Sequence, residues 1–427
     1  MKQHRLNRLS TILAFCLFGI WVACTPTLER RFAGSADIVP ATETVAMRGD
    51  QGQNCNEPLH YIPDTNHLDH TPIKNLRINF HFVNSRDSSH NYTGNEARRL
   101  VRELFHSAQK DLAQNNKMWL PHENDTPVLP TRYRYVLTGM PGDPDDDGIY
   151  THFDDELYYY IHQGKNRNLG DRRVIDRYAV QLDSVLNIFI MPHHPDSVAS
   201  PTYSAGGVGV AVGNAIKIAG IYENGGPGWN YRGVLNHEIG HILSLSHTWA
   251  YNDGCEDTPR HPGKCWNRSK EAPCNTMASN NVMDYNAMQH AWTPCQIGRV
   301  QAAMARPSSR ARQFLEPRWC TLDESKNIII RDTVIWNSMK DLEGNLIIEE
   351  GAALSIYCRV SLPKNATISI QPGGSLILHD ARLHNACGEQ WTGIEIVRAG
   401  NREGRLIFLG NPQLENMRFP LDQNPTD

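Results

Sequence analysis

Beyond residue 24 this 427-residue chain has no apolar run approaching the roughly 18 residues that a membrane-crossing helix needs. A bundle of membrane spans is therefore excluded as a reading of the sequence, and the mature chain is expected to be soluble or tethered. Nor is there a basic run interleaved with aromatic residues. The formal charge is only −4, so nucleic acid is not an expected partner.

What is present begins with an export signal. Residues 1–23 combine Lys2, Arg5 and Arg8 with an apolar run from about Ile12 to Ala23, too short and isolated for a membrane span. The segment "WVAC" ends in Cys24 and resembles a bacterial lipobox, with Trp21 departing from the small aliphatic residue usual there. Acylation of Cys24 would be the chain's one attachment to a membrane, placing it in the bacterial cell envelope, or extracellular if the anchor is absent. With Cys16 in the signal and Cys24 lipidated, eight of ten cysteines remain. An even number in an exported chain predicts disulfides, with Cys255, Cys265, Cys274 and Cys295 as candidates and the connectivity open.

Residues 24–72 are polar and without period, as in a linker or short prosegment. Alternating Leu76, Ile78, Phe80 and Phe82 predict a strand, and residues 95–116 carry apolar positions at helical spacing. Strands at "RYRYVLTG" and "LNIFIMP" and a glycine-rich stretch follow. The order predicts an α/β (α+β) domain over 73–320, with a twisted mixed sheet. Beyond Cys320 the texture changes: "NLIIEEGAALSI" and "TISIQPGGSLIL" superpose at a 22-residue offset, predicting a small all-β, β-solenoid-like domain over 321–427.

The chemistry concentrates in "VLNHEIGHILSLSHTW", residues 234–249. Residues four apart share a helix face, so His237 and His241 can present imidazoles to one point. A catalytic zinc wants three protein ligands and an open position, and His247 is the candidate third. Glu238 would stand beside the metal as general base toward water. His-Glu-x-x-His arises by chance in about four shuffled chains of this composition in a hundred, and with the third histidine in about two in a thousand. The longer pattern is the informative one.

With "DGCEDTP" (253–259) and "NVMDYNAMQHAWTPCQIGRV" (281–300), the chain resembles the metzincin metalloproteases, and within them the pappalysin family in its cytophagalysin-like bacterial branch, over roughly residues 73–320. The resemblance implies that Met283 is the Met-turn methionine beneath the metal and that Tyr285 approaches the site and stabilises the transition state. It casts "GGVGVAVGNAIKIAG" as the region of the edge strand on which a protein or peptide substrate is laid. Two departures stand out. Ser244 replaces the glycine between the second and third ligands, and "NAMQHAW" lacks the carboxylate that accompanies a preference for arginine or lysine after the cleaved bond.

Calcium is a weaker expectation, from Asp143, Asp145 and Asp147 before Gly148 with Asp154 at the twelfth position, and from the family's habit near Asp253, Asp257 and Thr258. Cys55 is either a thiolate capping the zinc or a disulfide partner, with Cys320 as one candidate. The leading functional reading is a secreted or lipid-anchored zinc endopeptidase. The alternative is a non-enzymatic surface lipoprotein that binds protein or glycan partners.

Overall fold

The computed structural model describes residues 27–40, 54–88, 90–249, 252–261 and 263–421, so the signal segment and Cys24 lie outside the described residues. Two short strands come first, β1 (Leu28–Phe32) and β2 (Ile38–Pro40). The larger domain then opens on β3 (Lys74–Asn84), whose alternating Leu76, Ile78, Phe80 and Phe82 are buried in the main core on one face of a sheet. β4 (Tyr133–Leu137) and β5 (Ile149–Phe153) pair with successive halves of β3, and β6 (Leu186–Met191) pairs along its other edge. β7 (Val208–Val212) and β8 (Ala215–Ala219) form a hairpin beyond β6, and only β7 runs antiparallel to its neighbour. The expected twisted mixed α/β sheet is thus present, with β7 at its rim.

The helix Gly94–Ala113 buries Leu100, Val101, Leu104, Ala108 and Leu112 in the main core, at the spacing expected from the sequence. The histidine-bearing helix Arg232–Ile242 and the closing helix Pro294–Ala305 share that core. Thr293 starts the closing helix with a capping box to Gln296.

The C-terminal domain is a solenoid of four coils, each giving one strand to each of three parallel sheets. Ile348 and Ile370, superposed by the 22-residue offset, are register partners, as are Leu354 and Leu376. Their side chains fill a continuous apolar core with Trp336 and Trp391.

The linker expectation for residues 24–72 is corrected in part. β1 pairs antiparallel with Gly393–Ala399 and β2 parallel with Arg405–Leu409, covering the exposed edge of the fourth coil. An uncovered solenoid end would present unpaired backbone groups, and these two strands satisfy them. Residues 54–72 form a strap across the joint between the domains. The Tyr61 hydroxyl donates to the Cys55 carbonyl at 2.6 Å, and the Lys340 ammonium donates to the His70 carbonyl at 3.0 Å.

Among the described residues four disulfides form: Cys55–Cys358, Cys255–Cys295, Cys265–Cys274 and Cys320–Cys387. Cys55 therefore bonds the second coil instead of Cys320, and its sulfur is not a free thiolate facing the histidines. Cys320 bonds the segment between the third and fourth coils.

Candidate metal centre and cleft

The histidine-bearing helix turns Leu235, Ile239 and Ile242 into the core and places His237, Glu238 and His241 toward the cleft. It ends in a Schellman arrangement. The Leu245 N–H donates to the Gly240 carbonyl at 2.9 Å and the Ser244 N–H to that of His241 at 3.0 Å. Ser244 adopts φ 73°, the left-handed backbone usually given to glycine, at a cost of about 1–2 kcal/mol. That reversal carries His247 back over the helix.

The three imidazoles converge through Nε2. His247 Nε2 lies 3.2 Å from Nε2 of His237 and 3.2 Å from that of His241. His237 Nδ1 meets the Val282 carbonyl at 2.8 Å, and His241 Nδ1 meets the Leu245 carbonyl at 3.0 Å. A carbonyl only accepts, so both Nδ1 atoms carry the proton and both Nε2 atoms present lone pairs. A single proton on His247 could serve one of its two contacts, whereas a cation serves all three nitrogens. Tetrahedral zinc with bonds of about 2.0–2.1 Å separates its nitrogen ligands by about 3.3–3.4 Å, so the donor set fits. Burial holds the His237 imidazole down at about 3 and His247 at about 4, the neutral form that binds metal.

Met283 is fully buried beneath the helix, and a Cβ on Gly240 would sit 2.4 Å from its sulfur. Glycine at this point of the motif is what lets the methionine close the floor. Tyr285 is exposed, its ring 5.0 Å from that of His247 and 5.8 Å from that of His237, with Trp249 5.5 Å away.

Glu238 is 6 % exposed and lies against β7. A Cβ on Gly209 would fall 2.5 Å from its Cγ, and the Ala211 N–H bonds its carboxyl. Burial pushes that carboxyl up to about 8, with the Ala211 N–H opposing. A divalent charge on the imidazoles would favour its ionised form.

The structure adds Asp284, which the sequence reading passed over. Wholly buried between Met283 and Tyr285, it accepts from the Thr248 hydroxyl and pairs with His261 Nε2 at 3.0 Å. Thr248 follows His247, so this carboxylate anchors the segment carrying the third imidazole. Its position between two residues already singled out was the available signal.

The calcium expectation gains no support. Asp147 pairs with Arg98 at 2.6 Å, Asp154 pairs with Arg177 at 2.6 Å, and the loop runs directly into β5. Asp253 accepts from the Thr258 hydroxyl and Asp257 from the Cys295 N–H. Cys255, Asp257 and Cys295 cluster, but the two sulfurs are bonded to each other.

His237, His241 and His247 thus form a group that could hold a metal ion. Residues 185–305 match the peptidase family model described as Pregnancy-associated plasma protein-A. Among solved structures, mature mirolysin of Tannerella forsythia in complex with a cleaved peptide is similar at 16 % identity and TM-score 0.41, over 56 % of this chain and 94 % of that one. A Tannerella forsythia promirolysin mutant is similar at 16 % identity and TM-score 0.41, over 57 % and 84 %. Mirolysin in complex with compound 9 is similar at 16 % identity and TM-score 0.40, over 57 % and 96 %. No curated protein matches the chain.

Proposed function

We propose that this chain is a secreted or lipid-anchored zinc endopeptidase in which His237, His241 and His247 hold the metal and Glu238 is the general base. The observation that carries the reading is the convergence of three Nε2 atoms while two Nδ1 atoms are committed to carbonyls. When bound, zinc supplies a Lewis acid that acidifies water and polarises a carbonyl. Glu238 takes the proton from the attacking water and gives it to the leaving amine. Its contacts with Gly209 and Ala211 fix the carboxyl where that transfer occurs.

The outer edge of β7 has no strand partner among the described residues, so an extended peptide can pair with its backbone beside Glu238. Tyr285 is the donor toward oxygen that gains charge in the transition state, and Met283 supports the imidazoles from below. Residues 286–292 contain no carboxylate, and no preference for a basic residue is assigned. Four disulfides suit an oxidising compartment, and the anchor rests on Cys24.

Metal analysis tests the ligand set. Wild type is expected to hold one zinc per chain and His241→Ala to lose most of it; undiminished zinc in the variant would move the site elsewhere. A zinc-loaded wild type that hydrolyses nothing in a broad peptide library would favour a surface binding protein instead.

A further inference from the structure

Where the catalytic domain meets the solenoid, a pocket of about 470 Å³ opens beside the Cys320–Cys387 bridge. Arg312 and Trp319 line it from the catalytic side, and Arg359, Arg382 and His384 from the second and third coils. Its charges do not balance. Asp341 accepts from Arg312 Nη2 at 2.9 Å and from Arg359 Nη1 at 2.7 Å, so one carboxylate serves two guanidiniums. Arg382 is already matched by Glu415 at 2.8 Å.

The side chains of Arg312 and Arg359 are only 10 % and 7 % exposed. One positive charge is therefore held largely out of water without a counter-ion, an arrangement that costs free energy unless something completes it. Lys74 lies close to the same charges. Its ammonium is pulled down to about 7, chiefly by removal from water, with Arg312, Lys340 and Arg359 adding to the effect and Asp341 opposing it.

Hydrogen bonding is incomplete at the same place. Arg359 Nε and His384 Nε2 are both buried without a partner among the described residues, in residues more than nine-tenths buried. Unpartnered buried groups are rare in folded proteins and each asks for a cause. The Arg312 guanidinium lies 4.1 Å from the Trp319 ring centroid, which fixes one wall.

We infer that this pocket binds an oxyanion, the carboxylate or phosphate group of a ligand seated at the domain joint. The anion supplies the missing negative charge among the Arg312, Arg359, Arg382 and His384 side chains that line the pocket. Bound there, it ties the second and third coils to the end of the catalytic domain. The site is separate from the metal centre and does not depend on the peptidase reading.

Calorimetric titration of the full-length protein with sodium phosphate and, separately, sodium acetate tests this, at an ionic strength held constant with sodium chloride. Saturable binding of at least one probe is expected, with a rise in Tm that follows occupancy. The two arms separate a phosphate site from a carboxylate site, and absence of binding in both overturns the inference. His384→Leu should weaken binding roughly tenfold by removing one hydrogen-bonding group from the lining; equal affinity in the folded variant overturns it. Should that variant not fold, Arg382→Ala at an exposed position decides, with weaker binding expected and unchanged binding contradictory. His241→Ala should bind the probe as wild type does, and loss there would place the anion on the metal centre instead.

Discussion

The two domains obtain their order in opposite ways. In the catalytic domain the metal centre comes from one stretch, 237–285, and is shaped locally by the helical period, a reversed helix end at Ser244 and a methionine under Gly240. In the solenoid the strands that stack the coils have no local partner, and the one tight hairpin joins Gly393–Ala399 to Arg402–Glu403 at the edge. Coils pair across offsets of 20 residues between Thr333 and Ala353 and 30 between Ser375 and Arg405, and residues 28–40 close the stack from the far end of the chain. Chemistry that must be placed to a fraction of an ångström sits on local geometry, while the repeat depends on distant pairing and on the joint.

The sharpest way to break that comparison is to remove the solenoid. No residue of the metal centre lies beyond Cys320, yet a chain ending at residue 322 loses the partners of Cys55 and Cys320, the strands that β1 and β2 pair with, and the counter-ion of Arg312. Loss of a native disulfide alone costs about 2–5 kcal/mol. We expect the truncated chain to lose cooperative unfolding in thermal melts; an unchanged Tm and rate would make the two domains independent.

A smaller perturbation acts at the joint. Asp341→Asn leaves two buried guanidiniums without their carboxylate, and breaking such a pair costs about 3–5 kcal/mol. Arg359 and Arg312 overcome the opposing effect of burial to hold the Asp341 carboxyl well below the ordinary carboxylate range. A depressed folded value means its stabilisation is complete above the unfolded value near 3.9 and is lost as pH falls toward the folded one. Wild-type stability in denaturant should therefore drop steeply in acid, and Asp341→Asn should be less stable at neutral pH with a shallower acid dependence. Equal stability at pH 7 would remove the joint's ion cluster from the account.

The helix motif and its third histidine stood out because their spacing is set within one helix and the turn after it, whereas Met283 and Tyr285 were singled out only by the family resemblance. The solenoid was legible only where the repeat is regular, in the second and third coils. The first and fourth carry insertions and deletions that shift the offset away from 22, and "LERRF" looks like linker because its outer surface is exposed. Cysteine parity indicated disulfides, but pairing Cys55 with Cys358 requires the docking of two domains. Asp284 stayed hidden because nothing in its type or spacing distinguishes a buried anchor from a solvated aspartate.

The mildest perturbation is confined to the catalytic side. Gly209→Ala places a Cβ against Glu238 and should displace the carboxyl without touching an imidazole. Misplacing a catalytic group by about 1 Å can cost up to about 10²-fold. Zinc content should hold while kcat/KM falls; an unaltered kcat/KM would show that β7 does not position Glu238.

The most direct test of the central claim is Glu238→Ala, read by zinc content and peptide hydrolysis in the same preparation. The account predicts one zinc per chain, an unchanged Tm and hydrolysis lower by roughly 10²- to 10⁴-fold, because this carboxylate moves a proton and holds no metal. Hydrolysis at the wild-type rate, with contaminating proteases excluded, would contradict it.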